Sequence, residues 1–242
     1  MTMTWSSGNV CYTASGEVVK CTYRGESYYI YASSNSCFRH HSVDRAHRFL
    51  ISTNARDHSV VNVLHYTGAR LGICINGTMC VARYLMDYHQ VERIVITANE
   101  VTFLFSIECG ITRLHMNDYS LCQIRQAEEC VYAEHRINAY RLSSVHLVGA
   151  ISNLNAKTAS LIRRKIIAEK GDANFNLHLY ELKNGAPFVI TRESGSQTNA
   201  KVSGAGALLV KIDVERKNSP PPRLISFGKN NTVSFKGEHC LF

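Results

Sequence analysis

The strongest constraint on the fold is an order of segments that occurs twice along the chain. Val18-Val19, Cys21-Thr22-Tyr23, Tyr28-Tyr29-Ile30-Tyr31, Phe49-Leu50-Ile51-Ser52 and Val60-Val61-Asn62-Val63-Leu64 are short β-rich runs, punctuated by Gly16 and Gly25. A glycine-rich turn, Leu71 to Cys80, then opens a segment in which Cys80, Val81, Tyr84 and Leu85 recur at helical spacing, predicting a helix over Gly77–His89. Strand pattern returns in Arg93–Ile96 and Val101–Phe105. The second half repeats this order. Val145–Val148, Leu177–Tyr180 and Phe188–Ile190 read as strands, Glu193 to Asn199 as a polar turn, and Ser203–Val210 as an apolar helix. Pro220, Pro221 and Pro222 interrupt the chain before a last strand, Thr232–Phe235. An internally duplicated α+β protein is expected, each half wrapping a sheet around one helix. The halves are placed at residues 1–112, carrying Cys74, and 113–231, carrying Glu193 and Lys201, with the last strand, 232–242, returning to the first half.

Composition narrows the class. Among 242 residues, 45% are hydrophobic and 19% charged, an ordinary globular balance. The 27 basic and 19 acidic side chains leave a net charge of +8, but the basic residues are dispersed and not interleaved with aromatics, so nucleic acid is not expected as a partner. The densest basic cluster, Arg163-Arg164-Lys165, falls in a predicted helix, Ala156–Lys170, and reads as its solvated face. No apolar run approaches the ~18 residues that span a bilayer. The start of the chain lacks the basic-then-apolar order of a signal peptide, so a cytoplasmic protein without membrane partners is expected. Nine cysteines without a Cys-x-x-Cys pair argue against a disulfide framework or a metal site, and most should pack as small buried hydrophobes.

One cysteine stands apart. Cys74 lies just ahead of the predicted helix, where the dipole and unpaired N–H groups favour negative charge, so its thiol should ionise more readily. The same N–H groups can hold a carboxylate. A thiolate beside a bound carboxylate is what removal of the neighbouring α-proton needs. The competing reading is that Cys74 merely packs under the turn.

The segment Cys74-Ile75-Asn76-Gly77-Thr78-Met79-Cys80 resembles the first active-site segment of diaminopimelate epimerases, Cys-Gly-Asn-Gly-x-Arg-Cys. Weaker matches follow in order. Ser7-Gly8-Asn9-Val10 resembles the family's Gly-Asn-Asp-Phe, and Arg39-His40 with Phe49-Leu50-Ile51 its Arg-His-…-Leu-Leu-Ile stretch. Ala173-Asn174-Phe175-Asn176 resembles Asn-Val-x-Phe, and Glu193-Ser194-Gly195 through Ser203-Gly204-Ala205 is similar to Glu-Arg-Gly-…-Ala-Cys-Gly-Thr-Gly-Ala. The resemblance covers nearly the whole chain. It implies two similar α/β halves, each a β-barrel-like sheet around a central helix, and a cofactor-independent, metal-free reaction at the cleft. There two cysteines act on opposite faces of the α-carbon of a small-molecule amino acid substrate. By the resemblance, Cys74 is one base, Asn76, Gly77, Ser203 and Gly204 hold the carboxylate, and Glu193 contacts the amino group. The resemblance also leaves room for a homodimer.

The departures redirect the substrate. Lys201 stands where the second catalytic cysteine falls. A lysine desolvated near a helix start loses basicity and can serve as a base; alternatively it reaches solvent or pairs with an acid, and the two-base reaction is lost. Asn9 and Asn174 match the residues that read the far end of diaminopimelate, but His65 replaces an asparagine, and Ser194 replaces the arginine that would grip the distal carboxylate. His47 falls where the family has small or amide residues. The expectation is an isomerase for another amino acid. The alternatives are a one-base isomerase on the same fold, and a non-catalytic member that binds an amino acid, a carboxylate metabolite or a partner protein.

Overall fold

A computed structural model describes residues 2–5, 11–15, 18–23, 26–31, 46–65, 68, 70, 74–99, 101–108, 111–115, 125–132, 134–142, 144–194, 199–200, 203–217, 224–226 and 232–236. The chain forms two compact units, residues 1–121 with 239–242, and residues 122–238. The first contains β1 (Thr2–Trp5), β2 (Cys11–Ser15), β3 (Val18–Tyr23), β4 (Glu26–Tyr31), β5 (His47–Asn54), β6 (His58–Leu64), α1 (Ile75–His89), β7 (Arg93–Ala98), β8 (Val101–Glu108) and β9 (Ile111–His115). The second contains β10 (Arg125–Tyr132), β11 (His135–Arg141), β12 (Val145–Ala150), α2 (Ala156–Lys170), β13 (Phe175–Lys183), β14 (Ala186–Arg192), β15 (Asn199–Ala200), α3 (Gly204–Arg216), β16 (Leu224–Ser226) and β17 (Thr232–Lys236).

The duplication expected from the segment order is present in the pairing. In the first unit β3 and β4 are antiparallel, β4 and β5 parallel, β5 and β6 antiparallel, and α1 carries the chain to β7, parallel to β6. In the second, β11 and β12 are antiparallel, β12 and β13 parallel, and β13 and β14 antiparallel. There α3 carries the chain to β16, parallel to β14. Parallel neighbours need a crossover, and a helix is the usual one. Hairpins close the remainder of each sheet, including β7 with β8 and β16 with β17.

The two central helices are buried on nearly every side, as helices without a polar face must be. In α1 the residues from Ile75 to Ala82, with Leu85 and Met86, are buried; in α3 Gly204, the run Gly206–Lys211, Asp213 and Val214 are, Ile212 apart. By contrast α2 buries only Ala159, Ile162 and Ile166, spaced for one face.

The second unit shows why its strands read as near-continuous apolar runs. Ile137, Ala139, Leu147, Leu177, Leu179 and Ile190 pack with the apolar face of α2 in one core cluster. The residues between them turn to the opposite face, among them Asn138, Tyr140, His178 and Tyr180, which reach Asp213 or Gly206 on α3. A sheet covered on both faces has no solvent side to keep polar. Asp213 is fully buried, and its carboxylate accepts from the Asn138 amide, Tyr140 Oη at 3.2 Å, Tyr180 Oη at 2.8 Å and Lys217 Nζ at 2.8 Å. Burial and the adjacent carboxylate push both tyrosines well above their ordinary value, so they remain donors.

Three differences from the sequence reading have local causes. The helix α1 begins at Ile75, because Cys74 is the extended residue that caps it. The helix α3 runs on to Arg216, since Lys211 and Asp213, which look like solvent residues, are buried with partners in Glu215 and the tyrosines. Arg163 does not join Arg164 and Lys165 in solvent: it is half-buried, lies 5.2 Å over the Phe175 ring, and donates to the carbonyls of Arg192 and Glu193, each at 3.1 Å.

Candidate functional site

Each unit sets the start of its central helix against two rings of its sheet. In the first unit Cys74, a half-buried residue, is the N-cap of α1, in extended backbone (φ −114°, ψ 91°), and its side chain makes no capping bond. Its carbonyl accepts from the Thr78 N–H at 2.8 Å and from Thr78 Oγ1 at 2.9 Å. Three residues into the helix, Gly77 lies so close to the sheet that a Cβ would stand 2.1 Å from Phe49 Cζ and 3.0 Å from Tyr28 Cδ1. Only a glycine lets the helix start approach this closely. Tyr28 and Phe49 meet edge-on with centroids 5.9 Å apart, and Tyr28 donates its hydroxyl to the Glu26 carboxylate. Burial first, then the proximity of Cys74 and Glu26, hold the Tyr28 hydroxyl well above its ordinary pKa. Cys80 is likewise raised by burial and by the neighbouring Cys21.

His47 and His65 come together beside this start. His47 is the register partner of Tyr28 across β4 and β5, and the two imidazoles are 5.9 Å apart between centroids. Burial, with His65 adding to it, lowers His47 to about 4, so it is neutral at pH 7. Asn76 and Gly77 are buried in the first turn of α1.

The second unit repeats the device with different rings. Ser203 caps α3, accepting the Gly206 N–H at 3.1 Å, and Gly204 is buried behind it. Gly206 occupies the same helix position as Gly77, and its Cβ would stand 2.6 Å from His178 Nδ1. His146 and His178 meet edge to edge, with centroids 5.2 Å apart, planes at 14°, and Nδ1 and Nε2 2.9 Å apart. Their positions match those of Tyr28 and Phe49: His178 pairs with Val148 as Phe49 pairs with Ile30, each ring partner lying two residues before that strand position. An aromatic pair in one half is thus an imidazole pair in the other.

Asn174 lies just before β13, and Glu193 and Ser194 just after β14. Ser194 donates its hydroxyl to Asn174 Oδ1 at 3.3 Å and its backbone N–H to Asn176 Oδ1 at 2.9 Å. The Glu193 carbonyl is held by Arg163. The structure therefore brings together Cys74, Asn76 and Gly77, with His47 near His65, in the first unit, and Asn174 with Ser194 next to Glu193 in the second. Asn9 and Lys201 lie outside the described residues. Sequence reading missed Tyr28, Glu26, His146, His178, Asn176 and Arg163. The spacing Glu26-x-Tyr28 against Ser144-x-His146, and His47-x-Phe49 against Asn176-x-His178, was the available signal once the halves are aligned on Gly77 and Gly206.

The buried imidazoles give the fold a pH dependence. Burial lowers His146 to about 4, and burial together with His146 also lowers His178 well below its ordinary value. The unfolded chain, with histidine near 6.5, binds protons that the folded one does not, so stability is complete above that value and falls as pH drops toward 4. For His146 alone the loss between pH 7 and pH 5 is about 2 kcal/mol, above the range where carboxylates titrate. Urea midpoints at the two pH values check it, and a His146→Gln variant should show a shallower dependence.

Among the described residues no group of three or more His, Cys, Asp or Glu side chains is arranged to hold a metal ion. Nor is any described helix long and apolar enough to cross a membrane. Compared by sequence, the chain matches no family model and no curated protein. Compared by structure, it resembles a predicted epimerase from Pseudomonas aeruginosa at 7% identity and TM-score 0.58, over 86% of this chain and 88% of that one. A phenazine biosynthesis protein of the PhzF family from Enterococcus faecalis aligns at 10% identity and TM-score 0.53, over 96% and 93% of the two chains. A hydroxyproline epimerase from Agrobacterium vitis, solved with trans-4-hydroxy-L-proline bound, aligns at 11% identity and TM-score 0.52, over 96% and 82%. The chain has the α+β, two-half fold that these epimerases and PhzF proteins share with diaminopimelate epimerases.

Proposed function

We propose that the chain is a cofactor-independent isomerase that racemises or epimerises an amino acid other than diaminopimelate. The observation that carries the reading is Cys74. It caps a helix whose first turn is pressed onto the sheet through Gly77, and its side chain makes no capping bond of its own. A helix start held in this way is rigid, and its first N–H groups lack intrahelical acceptors. A carboxylate bound there by the backbone at Asn76 and Gly77 gains charge-assisted hydrogen bonds. The same field favours a thiolate at Cys74, which takes the α-proton. Charge that develops on the α-carbon spreads into the carboxylate and is met by those N–H groups.

Inversion needs a second group that returns a proton to the opposite face, and this role is assigned to Lys201. Ser203 and Gly204 at the second helix start complete the carboxylate's hydrogen bonds, and Glu193 contacts the amino group. Asn9, His47, His65, Asn174 and Ser194 border the substrate's side chain. Neutral His47, and a serine at 194 in place of a guanidinium, favour an uncharged or small side chain over one ending in a carboxylate. The hydroxyproline epimerase of the same fold, with its bound imino acid, supports this substrate class.

Incubation of the reduced full-length protein with a panel of L-amino and imino acids in heavy water tests the reading. α-Deuterium incorporation with loss of optical purity supports two-base isomerisation. Exchange with retained chirality would reduce it to a one-base reaction. Absence of exchange across the panel would leave a binding protein.

A further inference from the structure

We propose that a hydrogen-bond chain of fixed direction, Ser194–Asn176–Ser144–His146–His178–Thr191, positions the Glu193–Ser194 segment against the start of α3. The inference deepens the reading above by naming positioning residues behind Glu193 and Ser194, and rests on that reading only for its catalytic consequence.

The links are these. The Ser194 N–H donates to Asn176 Oδ1 at 2.9 Å. Asn176 Nδ2 lies 3.2 Å from Ser144 Oγ and 3.4 Å from His146 Nε2. Ser144 Oγ and His146 Nε2 are 2.9 Å apart, His146 Nδ1 and His178 Nε2 2.9 Å, and His178 Nδ1 and Thr191 Oγ1 2.9 Å. The chain runs from exposed Ser194 and Ser144 to His178 and Thr191, both of 0% exposure.

Its direction follows from its outer end. A backbone N–H can only donate, so the amide oxygen of Asn176 must face Ser194 and its NH2 must face Ser144 and His146. His146 Nε2 has the Asn176 NH2 at 3.4 Å as well as the Ser144 hydroxyl at 2.9 Å, and the direction proposed is the one in which a bare Nε2 accepts from both. Neutral His146 then carries its proton on Nδ1 and donates to His178 Nε2. His178 in turn carries its proton on Nδ1 and donates to Thr191 Oγ1. In this direction both rings are the Nδ1–H tautomer, set from the main-chain donor of Ser194.

Two observations say that this chain does more than fill space. The equivalent positions of the first unit, Tyr28 and Phe49, fill the same place under Gly77 with an apolar edge-on contact, so packing alone does not call for imidazoles. The inner end also meets what must be positioned. His178 touches Gly206 in the first turn of α3, and Thr191 pairs in the ladder with Ala200, whose successor in the sequence is Lys201. A shift at Ser194 is thereby tied to the strand that leads to Lys201 and to the helix that Ser203 caps.

Long-range 1H–15N correlation on 15N-histidine protein at pH 7 tests the direction, with His146→Tyr and His178→Phe used singly to assign the rings. Two Nδ1–H tautomers are expected; an Nε2–H signature at either ring overturns the inference. In Asn176→Ala the Ser194 amide should exchange with solvent roughly tenfold faster, and the two tautomers should no longer be fixed. The double variant His146→Tyr/His178→Phe copies the first unit's packing without the chain. It should keep the thermal midpoint within a few degrees yet lose the same Ser194 protection, and unchanged protection in either variant contradicts the proposal. Where the wild type exchanges an amino acid's α-proton, both variants should raise KM more than they lower kcat. If no amino acid is turned over, the isomerase reading fails, while tautomers and amide protection still decide this one.

Discussion

Cys74→Ala is expected to lower α-proton exchange by roughly 10²- to 10⁴-fold, the contribution of a positioned general base, while the protein keeps its fold. The asymmetry follows from where the sulfur sits. As N-cap it makes no side-chain capping bond, and the residue is half-buried, so its truncation removes neither a helix cap nor a fully buried core side chain. Cys74→Ser sharpens the separation. A hydroxyl is a good N-cap acceptor and should hold or raise stability, yet it does not ionise near neutral pH, so exchange should remain close to that of the alanine variant. Initial rates of deuterium incorporation, read beside thermal midpoints, check both. A Cys74→Ala protein that exchanges at the wild-type rate removes the sulfur from the mechanism.

Asp213→Ala is expected to destabilise the second unit by about 3–5 kcal/mol, the cost of breaking a buried charged network from one side. The carboxylate has 0% exposure and is the common acceptor for Asn138, Tyr140, Tyr180 and Lys217. Without it two buried phenols lose the acceptor of their hydroxyl protons, and Lys217 loses its ion pair. Asp213→Asn preserves the volume and one acceptor oxygen, so its loss should be smaller. Denaturant unfolding of the three proteins orders them wild type, Asn, Ala. An alanine variant as stable as wild type would show that the tyrosines find water or other acceptors.

Much of the architecture was legible because the segments that build it are locally consistent. Residues of α2 alternate apolar and charged at helical spacing, and its limits, Ala156 and Lys170, coincide with Asn155 as side-chain cap and Gly171 in left-handed backbone (φ 67°) as stop. The aromatic and β-branched runs of β4, β6, β7 and β12 are buried continuously in β4 and β12 and at alternate positions in β6 and β7. Strands β10 and β11 were not legible. Arg125, Glu128, Glu129, Arg136 and Arg141 give them the composition of loops, and their pairing in antiparallel register, not their propensity, makes them strands. Cys74 and Gly77 stood out because a helix entrance displays its chemistry in consecutive residues. His146 and His178 did not, since they are 32 positions apart and meet only because β12 and β13 run parallel with His146 beside Asn176. Tyr28 and Phe49 escaped notice for the opposite reason: each reads as ordinary strand core, and only Gly77 reveals what the pair supports.

The central claim is that the sulfur at the start of α1 carries the proton. Its most direct test is a titration of exchange activity against alkylation at that one residue, with iodoacetamide as reagent and peptide mapping to score each cysteine. Activity should fall in proportion to the fraction of Cys74 modified and reach the uncatalysed rate at full occupancy, and a turned-over amino acid should slow the modification. Protein fully alkylated at Cys74 that still exchanges α-protons at its original rate would contradict the account.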